Sequence, residues 1–186
     1  DRHSGMAFEL IHENLPKVFE RPDDMEARGA VLLGASHAGA AIERSMLGAA
    51  HSMANPLTAL RGTVHGVAVG LALPAVMEFN AGQPETMTRY ANLARQAGIV
   101  PEGTSDRDSF DALVGRVRSL LDLANFPSSL SQLGFEEKDL AGLAKGASEQ
   151  WTAGFNPRAI ETHEFLQLYS SLFKPTPCLE ETQELS

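Results

Sequence analysis

Apolar positions along this chain recur at helical spacing from one end almost to the other. Phe8, Ile11, Leu15 and Val18 share one face of a helix expected over residues 4–19, with Pro16 marking a break and restart. Arg21-Pro22-Asp23-Asp24 has the chemistry of a turn and N-cap, and opens a helix expected over residues 25–50. From position 29 to position 50 small residues dominate and charge is confined to Glu43 and Arg44. A helix so apolar all round is expected to be central and closely packed. Pro56 and Gly62 are then expected to turn the chain, and residues 65–79 resume a helical pattern with Pro74 inside it. The run from 67 to 73 could form a strand by composition, but no second strong strand exists to pair with it.

The second half repeats the theme. Gln83-Pro84 starts a polar helix that Gly98 ends, and Ser105 or Asp106 caps the next. That next helix carries Phe110, Leu113, Val114, Val117, Leu120 and Leu121, the clearest amphipathic pattern in the chain, and Phe126-Pro127 stops it. A short turn is expected over residues 129–135. A helix over 136–151 is expected to bury Leu140, Leu143, Ala147 and Trp151, and Asn156-Pro157 to break the chain again. Thr162 caps a last helix whose Phe165, Leu166, Tyr169, Leu172 and Phe173 form one face. The pattern predicts one all-α domain of about seven to nine helices over residues 1–173, followed by an acidic, proline-bearing tail over 174–186.

Composition narrows the function classes. A chain of 186 residues, 43% hydrophobic and 21% charged, has the size and balance of one soluble globular domain. Its net charge of −9 argues against nucleic acid as a partner, because neutralising phosphates needs clustered Lys and Arg. No uncharged apolar run is long enough to span a membrane, and residues 1–20 lack the pattern of a secretory signal. The single cysteine, Cys178, has no internal partner, which fits a reducing cytoplasm.

Against that background one stretch stands out. His51 and His65 lie fourteen positions apart in an almost uncharged setting rich in Ala and Gly. With the chain reversing between them, His51 closing one helix and His65 opening another, both rings can reach one point. The residues alone leave two readings: a pair of metal ligands, or core histidines satisfied by backbone groups. The other histidines read as background. His3, His12 and His163 fall on polar stretches and are expected in solvent, and His37 is expected in the core, bonded to a backbone carbonyl.

The neighbouring residues add a family likeness. His51-Ser-Met-Ala-Asn55-Pro56-Leu57-Thr58-Ala59, then Val64-His65-Gly66-Val67-Ala68, then Leu73-Pro74 and Met77-Glu78-Phe79-Asn80 resemble the metal-binding signature of the iron-containing alcohol dehydrogenases. Asn156-Pro157-Arg158 near the end is similar to the closing segment of that family. The resemblance covers nearly the whole chain. It implies the helical C-terminal domain of such an enzyme, a domain type shared with dehydroquinate synthases.

What the resemblance implies for chemistry follows residue by residue. His51 and His65 would ligate a divalent metal, Fe2+ first and Zn2+ as the alternative, since both accept imidazole. The metal would assist hydride transfer between a small alcohol or aldehyde and NAD or NADP. In the family the remaining ligands, an Asp and a His, and the nucleotide-binding α/β domain lie upstream of the segment that residues 1–20 resemble. Asp1-Arg2-His3 does not have the ligand spacing. Gly34-Ala-Ser-His-Ala-Gly39 sits inside an expected helix rather than after a strand, so it does not read as a pyrophosphate loop. The N-terminal nucleotide-binding domain is therefore expected to be absent from this chain, and the fragment alone to be inactive. Asn55 stands where many members carry a further histidine, at a position near the nicotinamide; an amide there can hydrogen-bond but not titrate near neutral pH. Two alternatives stay open: a maleylacetate reductase-like oxidoreductase, or a non-catalytic helical scaffold or dimerisation domain. A homodimer is compatible with each.

Overall fold

Start and stop signals set the order of elements in the computed structural model, which describes residues 2–173; Asp1 and the expected acidic tail over 174–186 lie outside the described residues. Eight α-helices occur among the described residues: α1 Arg2–Glu20, α2 Met25–Ser45, α3 Ala49–Arg61, α4 His65–Asn80, α5 Pro84–Gln96, α6 Asp106–Leu123, α7 Leu140–Ser148 and α8 Thr162–Phe173. Short 3-10 turns fall at Ser131–Leu133, Glu137–Asp139 and Trp151–Phe155, and no strand is present among these residues. The all-α expectation holds, and no described helix is long and apolar enough to cross a membrane.

Several ends follow their local chemistry. Asp24 accepts from the Ala27 N–H at the start of α2, and Ser105 Oγ from the Asp108 N–H at the start of α6. Pro84 opens α5, where its missing N–H costs nothing. Gly62 ends α3 with φ +65°, the left-handed conformation that glycine adopts without a Cβ penalty.

The core has two parts that share α4. One gathers Met53 and Leu57 of α3, Leu71 and Val76 of α4, Leu143 of α7 and Phe165 and Tyr169 of α8. The other joins Met77 at the end of α4 to Phe110, Leu113 and Val114 of α6, with Phe8 of α1 packed against its margin. α4 is consequently apolar on nearly every side.

Four expectations are corrected. First, residues 25–50 are not one buried helix. Met46 takes φ +64° and its N–H bonds the Ile42 carbonyl, ending α2 at Ser45, and α3 begins at Ala49. α2 packs chiefly on α1 and leaves Leu32 73% exposed. Its small residues serve one close approach: a Cβ at Gly34 would come within 2.7 Å of the Ile11 side chain. Second, Pro16 and Pro56 break nothing. Each lies inside its helix, and α7 comes close to the Pro56 ring at Gly146. Third, the 136–151 helix is only α7 with a 3-10 turn before it; Leu140, Leu143 and Ala147 are buried as expected, but Trp151 is exposed.

Fourth, three histidines are misplaced by pattern alone: His3, expected in solvent, is half-buried against His37. His37 meets His3, Nδ1 to Nδ1 at 3.1 Å, rather than a carbonyl. His12 is buried on α1, stacked on Phe8, with Nε2 3.1 Å from the Ala97 carbonyl oxygen. That oxygen can only accept, so Nε2 carries the proton, and Nδ1 is left buried without a partner. Arg116 donates to the His12 carbonyl. Burial holds the His12 pKa below its ordinary value, opposed by the Ala97 carbonyl and reinforced by the Arg116 charge. The unfolded chain takes up a proton below about pH 6.5 and the folded one does not, so stability is full above that pH and is lost as pH falls toward the depressed folded value. Thermal melts at pH 7.5 and pH 5.5 are expected to show a smaller acid loss in His12→Leu than in the parent; equal losses would rule out His12 as their source.

Candidate metal centre

α3 and α4 pack on each other, and each carries one of the two histidines in its first turn. Gly62 reverses the chain after α3, and α4 starts at His65. The far end of α4 returns to the start of α3, where Asn156 bonds both Ala49 and Asn80. His51 sits in the first turn of α3, not at the close of a preceding helix.

The two rings meet. Their centroids lie 5.4 Å apart with the planes tilted by 49°. His51 is half-buried and His65 exposed, so the pair is backed by the bundle and open on its outer side. Burial, and then the His65 ring beside it, hold the His51 pKa below the ordinary histidine value. That favours the neutral imidazole, the form with a free lone pair for a metal.

The donor set fits part of a metal site. Two imidazoles from separate elements converge, which is half or more of what a catalytic ion takes from protein. Among the described residues no group of three or more His, Cys, Asp or Glu side chains lies close enough to hold one ion.

Asn55 lies one turn beyond His51 on α3. Its amide nitrogen donates to Gln150 Oε1 at 2.8 Å. It lines a groove of about 640 Å³ between α3 and α7, with Ala59, Leu60, Gly142 and Gln150 among its walls. One turn earlier, Ser52 Oγ and Thr152 Oγ1 share a buried hydrogen bond of 2.8 Å. Segment 150–156 is thus tied to α3 along one face, a feature that spacing arguments missed. The one signal for it in the sequence was Asn156-Pro157-Arg158.

Residues 1–173 match the model of the "Fe-containing alcohol dehydrogenase family, C-terminal". The chain is 34% identical over 146 residues to the lactaldehyde reductase of Escherichia coli strain K12, covering 78% of this chain and 38% of that protein. It is 29% identical over 174 residues to the NADPH-dependent butanol dehydrogenase of Clostridium saccharobutylicum, covering 91% and 43%. A crystal structure of 1,3-propanediol oxidoreductase superposes with a TM-score of 0.87 at 27% identity, covering 93% of this chain and 45% of the other. The chain spans less than half the length of these relatives.

Proposed function

The chain belongs to the Fe-containing alcohol dehydrogenase family, of which it carries the C-terminal region, and from that premise we propose that it is the metal-bearing helical half of a longer NAD(P)-dependent enzyme interconverting a small alcohol and its aldehyde. The observation that carries this reading is the convergence of the His51 and His65 rings at 5.4 Å, open on one side. The metal would be Fe2+, or Zn2+ in its place, with its remaining ligands and the nucleotide pocket supplied by the upstream half. When bound, a divalent ion lowers the pKa of a substrate hydroxyl and polarises a carbonyl.

This chain's own residues do the rest of the work on their side of the site. His51 and His65 offer imidazole lone pairs from two helices that share one core, which keeps the pair preorganised. The buried apolar body of α4, with Leu71 and Val76 in the core, fixes where His65 starts. Asn55, one turn from His51, orients cofactor or substrate by hydrogen bonding and moves no proton near neutral pH. A small alcohol suits a site whose nearby groove on this chain is bounded by Ala59, Leu60 and the glycines of α7.

The purified 186-residue chain is therefore expected to turn over no alcohol with NAD or NADP, and to hold iron more weakly than micromolar affinity in calorimetry. Both deficits are expected to disappear when the upstream half is joined to it. Robust oxidation by the chain alone would refute the division of labour.

A further inference from the structure

We propose that Asn156 is a positioning residue for the metal centre: from more than a hundred residues away its side-chain amide caps the first turn of α3 and sets where His51 stands. The inference rests on the reading of His51 as a ligand.

α3 begins without a cap of its own. Its N-cap residue, Gly48, has no side chain, and the first N–H groups of a helix have no intrahelical partner. Asn156 Oδ1 accepts the Ala49 N–H at 3.2 Å, two residues before His51. The same oxygen accepts from Asn80 Nδ2 at 3.2 Å, while Asn156 Nδ2 donates to Asn80 Oδ1 and to the Arg158 carbonyl, each at 2.7 Å. Two donors and two acceptor sites are thus all in use, the full capacity of a side-chain amide. Few other side chains could replace it.

Both neighbours are shaped to this amide. A Cβ at Gly48 would stand 3.1 Å from Asn156 Oδ1, close enough to displace the amide by a few tenths of an ångström from the Ala49 N–H. Arg158 holds the segment from the other side: its Nη1 donates to the Phe79 carbonyl at 2.7 Å and its guanidinium lies 4.0 Å over the Phe79 ring. Asn156 therefore joins three things at one point, the start of α3, the end of α4 at Asn80 and the segment before α8.

Further along the same face of α3, Ser52 bonds Thr152 and Asn55 bonds Gln150. Positions 49, 52 and 55 follow helical spacing, so the ties form one row. The row opposes rotation of α3, and the end tie at Ala49 opposes sliding. Sliding by one residue would move the His51 ring about 1.5 Å, far beyond the roughly 0.2 Å tolerance of a metal–nitrogen bond.

The test uses the full-length enzyme loaded with iron or cobalt. Asn156→Ala is expected to raise the metal dissociation constant by about tenfold or more, read by chelator competition. It should also speed hydrogen exchange at the Ala49 amide. Leu113→Ala, in the part of the core remote from His51, is expected to lower Tm while leaving the metal constant within twofold. An unchanged constant in Asn156→Ala overturns the proposal, as does an equal loosening in Leu113→Ala, which would make the effect general destabilisation. Should Asn156→Ala not fold, Asn156→Asp, which keeps the acceptor but loses both donors, must still loosen the metal by about threefold or more. His51→Ala distinguishes the two readings: if it retains the metal, the site assignment fails, whereas loss there with none at Asn156 defeats only the positioning role.

Discussion

Under the proposed function, alanine at His51 or at His65 in the full-length enzyme is expected to abolish stoichiometric metal and to lower turnover by about 10³-fold or more. The magnitude follows from what a bound ion would supply, several kcal/mol of stabilisation at the reacting oxygen, where each 1.4 kcal/mol is about tenfold in rate. Neither histidine can stand in for the other, because they come from different helices and meet only once, at 5.4 Å between centroids. Their effects on metal content should be equally complete, although His65 is exposed and His51 is packed against the bundle. His163→Ala is the matched control. That ring is solvent-exposed beside Glu161 and Glu164 on the far side of the sequence, and its loss is expected to leave metal and turnover within twofold. Metal measured by elemental analysis at parent stoichiometry in either site variant would reduce the ring pair to a packing contact.

Much of this site is legible from residue order, and the parts that are not have physical causes. The reversal at Gly62 and the helix start at His65 follow from a left-handed glycine and a resumed apolar period, but the rings meet without the break at Pro56 and the helix end at His51 on which the expectation leaned. Pro56 misleads because a proline is read by the hydrogen bond it removes, whereas in the bundle the ring is held against Gly146 of α7 and α3 runs through it. α2 misleads for the opposite reason. Alanine and glycine look like core by composition, yet they are also the residues of a close helix pair, and Gly34 uses its missing Cβ against α1 while Leu32 and Leu33 face outward. His12 and His37 show the limit of polarity patterns: each partner, Ala97 and His3, is far away in sequence and can be found only in three dimensions. Asn156 is the most instructive case. Its motif is visible in the sequence, but its work is a cap on a helix that begins 107 positions earlier, which no local rule reaches.

Phe165→Ala costs about 3–5 kcal/mol of stability, the loss typical of emptying a buried phenylalanine site. For a domain of this size that lowers Tm by about 6–20 °C, at roughly 2–4 °C per kcal/mol. Phe165 is fully buried on α8, in the part of the core that also holds Met53 and Leu57 of α3 and Leu143 of α7. Leu166 is the sharp comparison. Apolar spacing puts it on the same face, but in the folded chain it is 40% exposed, and Leu168 is buried in its place. Leu166→Ala is therefore expected to cost well under about 1 kcal/mol. Equal losses at the two positions, measured by thermal unfolding, would mean that α8 is rotated from the placement described. The rotation would carry Tyr169 with it, and with Tyr169 the 2.7 Å hydrogen bond its hydroxyl donates to the Met53 carbonyl, two residues beyond His51. Stability at Phe165 and geometry at the metal centre are for that reason coupled: a variant that empties the Phe165 site should also loosen the metal, more weakly than Asn156→Ala does.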